Sequence, residues 1–333
     1  MRVLIASTVF APSVGGTQTV AALLARGLVA EGHAVRVITL TEGNGWAGNA
    51  DCAIVRSPSP LRVFRCVSES DAVILMGPTL KLGWPLILLN RKALISHHIG
   101  PPADGNPAVR LLRRLLCNRA THVACSRVLA ARMGSECTVV ENPYDDDLFT
   151  AIPDAQRAGD LIFLGRLVPE KGLDVLLKAM AILSQRGLNP CLKVVGDGPS
   201  RGDLERTAGL LGLEGRVEFL GTVVGKQLAA LLNRQRILVV PSTCEETFGL
   251  AAMEGIACGC VVVGSSGGGL PDAIGACGVT FPTGHADQLA RAIEALLRDQ
   301  KALEGYRRAA PGHLQSRSPN LVARQLLARL CAA

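Results

Sequence analysis

The sequence predicts two doubly wound α/β domains, each built on a parallel sheet. Its 333 residues are enough for two domains that each bury a core. Short apolar runs rich in β-branched residues alternate with helical patterns in both halves of the chain. The stretch 151–160 is the expected hinge between the halves, because it is polar, lacks an apolar period and contains Pro153 and Gly159.

The first half opens with a predicted strand, RVLIAS at 2–7, and a helical pattern follows at 17–32. Its other predicted strands are HAVRVITL (33–40), DAVILM (71–76) and KALIS (92–96). Pro12 soon interrupts the opening apolar run, which favours a first strand over a signal peptide. We therefore expect a cytoplasmic protein.

The second half repeats this alternation of strands and helices. Its predicted strands are DLIFLG (160–165), LKVVG (192–196), VEFLG (217–221), ILVVP (237–241) and CVVVG (260–264). In open sheets of parallel strands, ligands bind beyond the carboxyl ends of the strands. Functional motifs are therefore expected directly after these segments.

The overall composition is that of a globular protein, with 48% hydrophobic and 19% charged residues. No apolar run reaches the roughly 20 residues that span a bilayer. The formal net charge of +7 favours anionic partners, and 3% aromatic residues argue against stacking on nucleic-acid bases. The 11 cysteines are odd in number and include no CxxC pair, so we interpret most of them as small buried hydrophobic residues.

A glycine pair, Gly15 and Gly16, lies between the first strand and the first helix. Without Cβ atoms it permits close approach of a ligand, and the following helix would offer free N–H groups to an anion. The GxGxxG spacing of dinucleotide-binding proteins is absent. A simple strand-to-helix connection is the alternative interpretation.

Two cations follow the first strand of the second half, in the segment GRLVPEKG at 165–172. Arg166 and Lys171 could converge on a diphosphate, the guanidinium as a fork and the ammonium as a point charge. The segment does not satisfy the GxxxxGK[ST] pattern of phosphate-binding loops. The alternative is a pair of solvated surface charges.

Two carboxylates flank a predicted helix start in EETFGLAAME at 245–254. Glu246 lies in the loop after a buried strand, and Glu254 lies in the second turn of a helix that follows Gly249. A helix N-terminus suits a phosphate group, and an ionised carboxylate suits the paired hydroxyls of a ribose. The strand, loop, glycine and helix context favours a ligand site over two unrelated surface acids.

Taken together, these segments resemble the GT4-type retaining glycosyltransferases of the GT-B fold. The resemblance spans nearly the whole chain and is densest from 161 to 275. It rests on the glycine pair after the first strand and on GRLVPEKGLDVLLKA, VVGDGP, VEFLG, PSTCEETFGLAAMEGIACGCVVV and GGGLPD. It implies two Rossmann-like domains facing a cleft, and transfer of a sugar from a nucleoside diphosphate donor without a metal or another cofactor.

The resemblance also implies roles for individual residues. Arg166 and Lys171 would neutralise the leaving diphosphate, and Glu254 would hold the ribose. Glu246 would lie against the donor sugar. The remaining implied donor contacts are Phe248, Gly249 and Leu250 through their backbone, and Gly15 and Gly16 from the other domain.

A histidine pair, His97 and His98, follows the strand KALIS. In similar enzymes a histidine after this strand approaches the donor sugar, and the register favours His97, with His98 as the second choice. Adjacent histidines without further partners match no metal-ligand spacing. Hydrogen bonding at the strand end is the alternative role for either ring.

The segment 106–120 predicts a basic amphipathic helix, because four arginines alternate with leucines and a valine. Such a helix could dock on an anionic membrane surface and bring the protein to a lipid-linked acceptor. A packed helix with a charged outer face is the alternative.

The predicted domains are 1–155 on the acceptor side and 156–315 on the donor side. A closing helix is predicted at 316–333, and it either crosses back to the first domain or caps the second.

Three positions depart from the usual pattern of the resembled family. Gln18 and Asp272 stand where that family often has glutamate, and Gly255 stands where it often has alanine. The first domain is also compact, so acceptor details do not transfer from the resemblance.

The sequence thus predicts a retaining, metal-independent glycosyltransferase of the hexosyltransferase type. We expect a nucleotide-sugar donor, UDP-linked by preference, and a glycan, a lipid-linked sugar or a small metabolite as acceptor. The rivals are a nucleotide-sugar epimerase or phosphorylase of the same architecture, and a non-catalytic scaffold that binds sugar nucleotides. A dehydrogenase is disfavoured because the nicotinamide fingerprint is absent.

Overall fold

The computed structural model describes residues 1–13, 15–43, 52–100, 106–134, 136–153 and 155–332. The chain divides into two units, Met1–Tyr144 with Ser316–Ala333, and Asp145–Gln315. Each unit is a parallel sheet with helices, which confirms the predicted fold class.

The first unit has a seven-stranded sheet in the order β3-β2-β1-β4-β5-β6-β7. Its strands are β1 (Arg2–Ser7), β2 (Ala34–Thr39), β3 (Ala53–Arg56), β4 (Ala72–Met76), β5 (Lys92–His97), β6 (Thr121–Ala124) and β7 (Thr138–Val139). Its helices before residue 144 are α1 (Gly16–Ala30), α2 (Pro60–Ser68), α3 (Leu80–Gly83), α4 (Pro85–Leu88), α5 (Pro107–Cys117) and α6 (Arg127–Met133). Every strand pair in this sheet is parallel.

The second unit has a six-stranded parallel sheet in the order β10-β9-β8-β11-β12-β13. Its strands are β8 (Gly159–Leu164), β9 (Leu192–Val195), β10 (Val217–Gly221), β11 (Gln235–Val240), β12 (Val261–Ser265) and β13 (Gly278–Phe281). Its helices are α7 (Leu173–Gln185), α8 (Arg201–Leu210), α9 (Gly225–Asn233), α10 (Leu250–Ala257), α11 (Leu270–Ile274), α12 (Ala286–Arg298) and α13 (Gln300–Gln315), with a 3-10 helix at Pro169–Lys171.

The strands of both sheets consist mainly of apolar residues, and helices bury them. In the first unit, β4 is buried along its whole length, and Leu4, Leu75 and Ile95 belong to one buried cluster. In the second unit, the side chains of β8, β9, β11 and β12 pack with those of α7 and α12 in another. Burial on both faces explains why the strands read as continuous apolar runs rather than as an alternating pattern.

The division between the units falls before the expected hinge. Asn233, at the end of α9, accepts from the backbone N–H of Ile152 at 2.7 Å and donates to the carbonyl of Thr150 at 3.0 Å. Arg157 donates to the carbonyls of Gln235 at 2.9 Å and Cys258 at 2.7 Å. These bonds attach the described part of 151–160 to the second unit.

A closing helix, α14 (Pro319–Ala332), belongs to the first unit. It packs against α1 so closely that a Cβ at Gly27 would lie 2.2 Å from the carbonyl oxygen of Pro319. Arg324 also pairs with Glu31 at the end of α1. Glycine at position 27 therefore allows α1 and the start of α14 to pack closely.

We predict that Asn233→Ala destabilises the second unit by about 2–4 kcal/mol, because it leaves the N–H of Ile152 and the carbonyl of Thr150 unpaired. Chemical denaturation followed by circular dichroism measures the change. Arg234→Ala, at the exposed neighbouring position, is the matched control. Equal stability of the two variants would show that Asn233 does not attach the 150–152 segment.

Candidate functional site

The loop after β8 carries the two predicted cations of the second unit. Arg166 is exposed and its guanidinium has no side-chain partner among the described residues. The loop then forms the 3-10 helix that ends at Lys171, and Gly172 follows with φ 68° as the N-cap of α7. A Cβ at Gly172 would lie 2.0 Å from the carbonyl oxygen of Pro241, so glycine is required where this loop meets the end of β11.

The loop after β9 packs against the same segment. The N–H of Leu167 donates to the carbonyl of Asp197 at 2.9 Å. Gly196 and Gly198 allow this contact, since Cβ atoms there would lie 1.8 Å from the oxygen of Gly165 and 2.5 Å from that of Leu167. The glycines of VVGDGP therefore bring two strand-end loops together.

Lys171 and Glu246, which are 75 positions apart in sequence, form an ion pair at the carboxyl end of the second sheet. The distance from Lys171 Nζ to Glu246 Oε1 is 2.5 Å. The buried hydroxyl of Ser242 donates to the same oxygen at 2.6 Å. Both donors use Oε1, which leaves Oε2 as the oxygen without a partner among the described residues.

Backbone bonds hold Glu246 in place on both sides. The N–H of Gly269 donates to the carbonyl of Glu246 at 2.7 Å, and a Cβ at Gly268 would lie 2.2 Å from that oxygen. The N–H of Thr243 donates to the carbonyl of Glu170 at 2.9 Å. The segment GGGLPD thus supports the loop that carries the carboxylate.

Helix α10 begins directly after this loop with an uncapped N-terminus. Its N-cap is Gly249, with φ 117° and no side-chain hydrogen bond. A Cβ at Gly249 would lie 2.6 Å from Leu270 Cδ1, and Phe248 is buried in the core just before it. The N–H groups of Leu250 and Ala251 have no acceptor among the described residues, so the helix can offer them to an anion.

Glu254 lies in the second turn of α10 in a low-polarity setting. Burial, followed by the carboxylate of Asp145, raises the pKa of Glu254 to about 8. No hydrogen bond or ion pair joins its side chain to another described residue. A carboxyl with these properties keeps its proton at pH 7 in the ligand-free chain.

Asp145 belongs to a group of three consecutive carboxylates. The oxygens of Asp145, Asp146 and Asp147 lie within 4.8 Å of one another. All three residues also make other interactions. Of the three, Asp145 acts on Glu254 through its charge.

The predicted histidines lie in the first unit and are both buried. His97 Nε2 lies 2.9 Å from His122 Nδ1, and His122 Nε2 lies 3.0 Å from the carbonyl oxygen of Cys117. Because a carbonyl only accepts, neutral rings require His122 Nε2 and His97 Nε2 to carry the protons. His97 Nδ1 is then an acceptor.

His98 has a different environment. Its Nε2 lies 2.9 Å from the hydroxyl oxygen of Ser96, and its Nδ1 is buried without a hydrogen-bond partner. Burial lowers the pKa of both rings to about 4, with His122 contributing for His97 and His97 for His98. Both histidines are therefore neutral at pH 7 and suited to hydrogen bonding rather than to charge stabilisation.

The glycine pair of the first unit starts α1. Gly15 is the N-cap in an extended conformation that any residue adopts, and α1 begins at Gly16. A Cβ at Gly15 would lie 2.7 Å from Gln18 Oε1, which belongs to a flexible side chain. Gln18 itself donates to the hydroxyl of Ser13 at 2.8 Å.

Helix α5 carries the predicted basic segment. Leu111, Leu112 and Leu115 are 59%, 45% and 40% exposed, and Leu116 is the one residue of α5 that is buried. A packed amphipathic helix would bury such leucines, so α5 has an uncovered apolar face within the first unit. Within the described ranges, no helix is both long and apolar enough to cross a bilayer.

The structure thus brings together Lys171, Glu246 and the start of α10 in one site of the second unit. Sequence reasoning gave no role to Ser242 or Asp145. Ser242 could have been recognised in the sequence as a polar residue that closely follows a buried strand. No local signal identifies Asp145, because its effect on Glu254 depends on a contact across more than a hundred positions.

Comparison with known proteins identifies the family. Residues 148–313 match the family of glycosyl transferases group 1, and this region contains Lys171, Glu246 and α10. The chain belongs to the GT4-type glycosyltransferases of the GT-B fold. Its structure superposes with a TM-score of 0.80 on Anabaena Alr3699/HepE in complex with UDP and glucose, over 99% of both chains at 19% identity.

Two curated relatives match this GT4-type chain over shorter segments. An uncharacterised glycosyltransferase of Bacillus subtilis, YqgM, is 41% identical over 136 residues, which are 40% of this chain and 38% of that protein. The 2-deoxystreptamine glucosyltransferase of Streptomyces kanamyceticus is 30% identical over 216 residues, 58% of this chain and 56% of its own. The chain therefore covers less than two thirds of the length of either relative.

We predict that Glu254→Gln changes how stability depends on pH. The native carboxyl keeps its proton up to about pH 8, whereas the unfolded one loses it near 4.5. Between these values the native state binds more protons, so the free energy of unfolding falls as pH rises. The glutamine variant lacks this loss, and its stability relative to the parent should increase by at least about 1.4 kcal/mol from pH 5 to pH 8.5.

Denaturant titrations at both pH values measure this difference. Glu214→Gln, at an exposed position, is the control. Its free energy of unfolding relative to the parent should be the same at both pH values. A constant difference for Glu254→Gln would contradict a raised pKa.

Proposed function

We propose that the chain is a retaining glycosyltransferase that uses a nucleoside diphosphate sugar. The observation that carries this proposal is the Lys171–Glu246 ion pair with Ser242, directly ahead of the uncapped N-terminus of α10. These groups combine a cation, a held carboxylate and free backbone N–H groups at one sheet edge. That combination suits a molecule that carries both a diphosphate and a sugar.

Cleavage of a glycosyl phosphate develops negative charge on the departing diphosphate. Fixed donors are most effective there, because they stabilise the transition state more than the bound substrate. Lys171, the unpaired guanidinium of Arg166 and the N–H groups at Gly249 and Leu250 are the proposed diphosphate contacts. Phe248 contributes its backbone and fixes the loop through its buried ring.

Glu254 is the proposed ribose contact. Two ribose hydroxyls would donate to its carboxylate, which favours the ionised form and opposes the effects of burial and Asp145. Nucleotide binding near pH 7 would then release a proton from this residue.

Glu246 is proposed to lie against the donor sugar through its unpartnered Oε2. Lys171 and Ser242 hold the other oxygen, so the carboxylate is positioned as a hydrogen-bond acceptor. In a front-face mechanism, the bond from the acceptor oxygen to the anomeric carbon forms as the bond to phosphate breaks. The acceptor's proton passes to the leaving phosphate, and no enzyme nucleophile or cofactor is needed.

The first unit supplies the remaining proposed donor contacts. His97 stays the first choice, because its Nδ1 is an acceptor for a sugar hydroxyl, and His98 stays the second. Gly15 and Gly16 are the proposed phosphate contacts from this unit.

A UDP-linked donor is the preferred choice, and Anabaena HepE, which binds UDP and glucose, supports it. A small hydroxylated metabolite is one acceptor class, since one relative is a 2-deoxystreptamine glucosyltransferase. A glycan or a lipid-linked sugar remains a second acceptor class. The rival functions are an epimerase of the same fold and a non-catalytic scaffold.

We predict that Lys171→Ala and Glu246→Ala each lower turnover by about 10²–10³-fold, the usual effect of removing one charge-stabilising group. The assay measures nucleotide release from UDP-, GDP- and ADP-sugars with a mixture of acceptors. Lys178→Ala removes an exposed lysine of α7 that pairs with Asp174, and it should stay within about twofold.

The same assay separates the rival functions. Equal activity of the parent chain and both site variants would contradict the proposed roles. Nucleotide binding without release in the parent would favour a scaffold, and a changed sugar without release would favour an epimerase. His97→Ala and His98→Ala, assayed alongside, should reduce turnover if that ring contacts the sugar.

We also propose that α5 docks on an anionic membrane surface, on the cytoplasmic side. Its exposed leucines would enter the interface, and its exposed Arg110 and Arg114 would contact the headgroups. This would bring the protein to a lipid-linked acceptor.

We predict that Leu111→Ser with Leu115→Ser weakens vesicle binding by about tenfold, since each replacement removes one exposed leucine from the interface. Co-sedimentation with vesicles of phosphatidylglycerol and phosphatidylcholine measures the effect. Leu210→Ser, at a leucine of α8 that is 84% exposed, is the control. Binding that is absent in the parent, or unchanged in the double variant, would exclude this surface.

A further inference from the structure

A separate arginine-lined cavity lies in the second unit. Its volume is about 340 Å³, and its lining residues are Ile152, Ala155, Arg157, Arg236, Gln300 and Arg307. Three of these six side chains are guanidinium groups. This volume is at the lower end of the range for small-molecule sites.

The cavity lies at the end of the sheet opposite to Lys171 and Glu246. Arg157 precedes β8 by two positions, and Arg236 is the second residue of β11, so both mark the amino ends of their strands. Lys171 and Glu246 follow the carboxyl ends of the same two strands. The two sites are therefore distinct within one unit.

All three arginines donate to backbone carbonyls. Arg157 donates to the oxygens of Gln235 at 2.9 Å and Cys258 at 2.7 Å. Arg307, on α13, donates through Nε to the oxygen of Gly259 at 3.0 Å, and Arg236 donates to the oxygen of Leu297 at 3.3 Å. These bonds fix the positions of the three charges before any ligand arrives.

Part of this hydrogen-bonding capacity is unused. Arg307 Nη2 is buried and has no hydrogen-bond partner. A buried charged donor without an acceptor is costly, because it has lost its hydration. Arg307 also lines the cavity, so an anion there would lie beside this incompletely satisfied guanidinium group.

The described carboxylates pair with these arginines only in part, and Glu304 acts on Arg307 through its charge. Among the described residues, Asp160 is the one carboxylate that pairs with any of the three arginines, at 3.4 Å from Arg236. Asp154 lies outside the described residues. Burial, then the charge of Arg157, lowers the pKa of Arg307, and Arg236 adds to this effect.

A purely structural role accounts for only part of this arrangement. Guanidinium groups often satisfy carbonyls at the ends of helices, and Arg157 does so for Leu232 and Cys258. Arg236 does so for Leu297 and Arg307 does so for Gly259. That role still leaves Arg307 Nη2 without an acceptor.

We propose that this cavity binds the phosphate group of a small phosphorylated molecule. A phosphate dianion offers several acceptor oxygens, and guanidinium groups match its geometry with paired donors. The cavity is larger than a phosphate ion alone requires, so a phosphate ester is the favoured source over free phosphate.

Isothermal titration of the full chain tests this proposal. The chain carries Arg166→Ala and Lys171→Ala, so that the donor site does not compete for the probe. Inorganic phosphate and glucose 6-phosphate are the two probes, at low ionic strength. We expect saturable binding with one site per chain, tighter for the ester. Equal affinities would assign the site to free phosphate, and absence of binding would overturn the proposal.

A matched pair of variants locates the binding. Arg307→Gln in the same background should weaken probe binding by about tenfold or more, the loss expected for one charged hydrogen-bonding group. Arg308→Gln makes the same charge change at the exposed next residue of α13, outside the lining of the cavity, and should stay within about twofold. Equal effects of the two would reduce the binding to net charge and overturn the assignment.

A second measurement does not depend on the variant folding. Phenylglyoxal modifies arginine, and mass spectrometry quantifies the adduct at each position. Glucose 6-phosphate should protect Arg307 and Arg236 in the chain without substitutions, while Arg308 reacts at an unchanged rate. Failure to protect Arg307 at a saturating probe concentration would exclude it from the site.

Discussion

The ion pair between Lys171 and Glu246 is the interaction on which the rest of the site depends. It joins the loop after β8 to the loop after β11, at the edge where two neighbouring parallel strands end. Ser242 donates to the same carboxylate oxygen as the lysine. The pair therefore sets the position of a cation, of an acceptor and of the chain that leads into α10.

Glycines make this arrangement sterically feasible. The loops approach so closely that a Cβ at Gly172 or Gly196 would lie 2.0 Å or 1.8 Å from a backbone oxygen. Gly249 then adopts a left-handed conformation and leaves the first N–H groups of α10 without a cap. Close packing of three loops thus produces an anion site made largely of backbone.

The two ends of the second sheet differ in electrostatic character. At the carboxyl edge, Lys171 is balanced by Glu246, and Glu254 holds a proton because of burial and Asp145. At the amino edge, Arg157 and Arg307 have no paired carboxylate among the described residues. The first edge therefore combines cationic, anionic and neutral acidic groups, whereas the described part of the second is mainly cationic.

The sequence by itself determined the fold class and most strand positions, because apolar runs and helical periods are local properties. The strand VEFLG, for example, has the predicted limits 217–221. It also identified Lys171 and Glu246 separately, from their places after strands. Only the tertiary structure decided that these two side chains meet, and that Asn233 holds the segment 150–152. Those outcomes depend on contacts between distant segments, which no local pattern encodes.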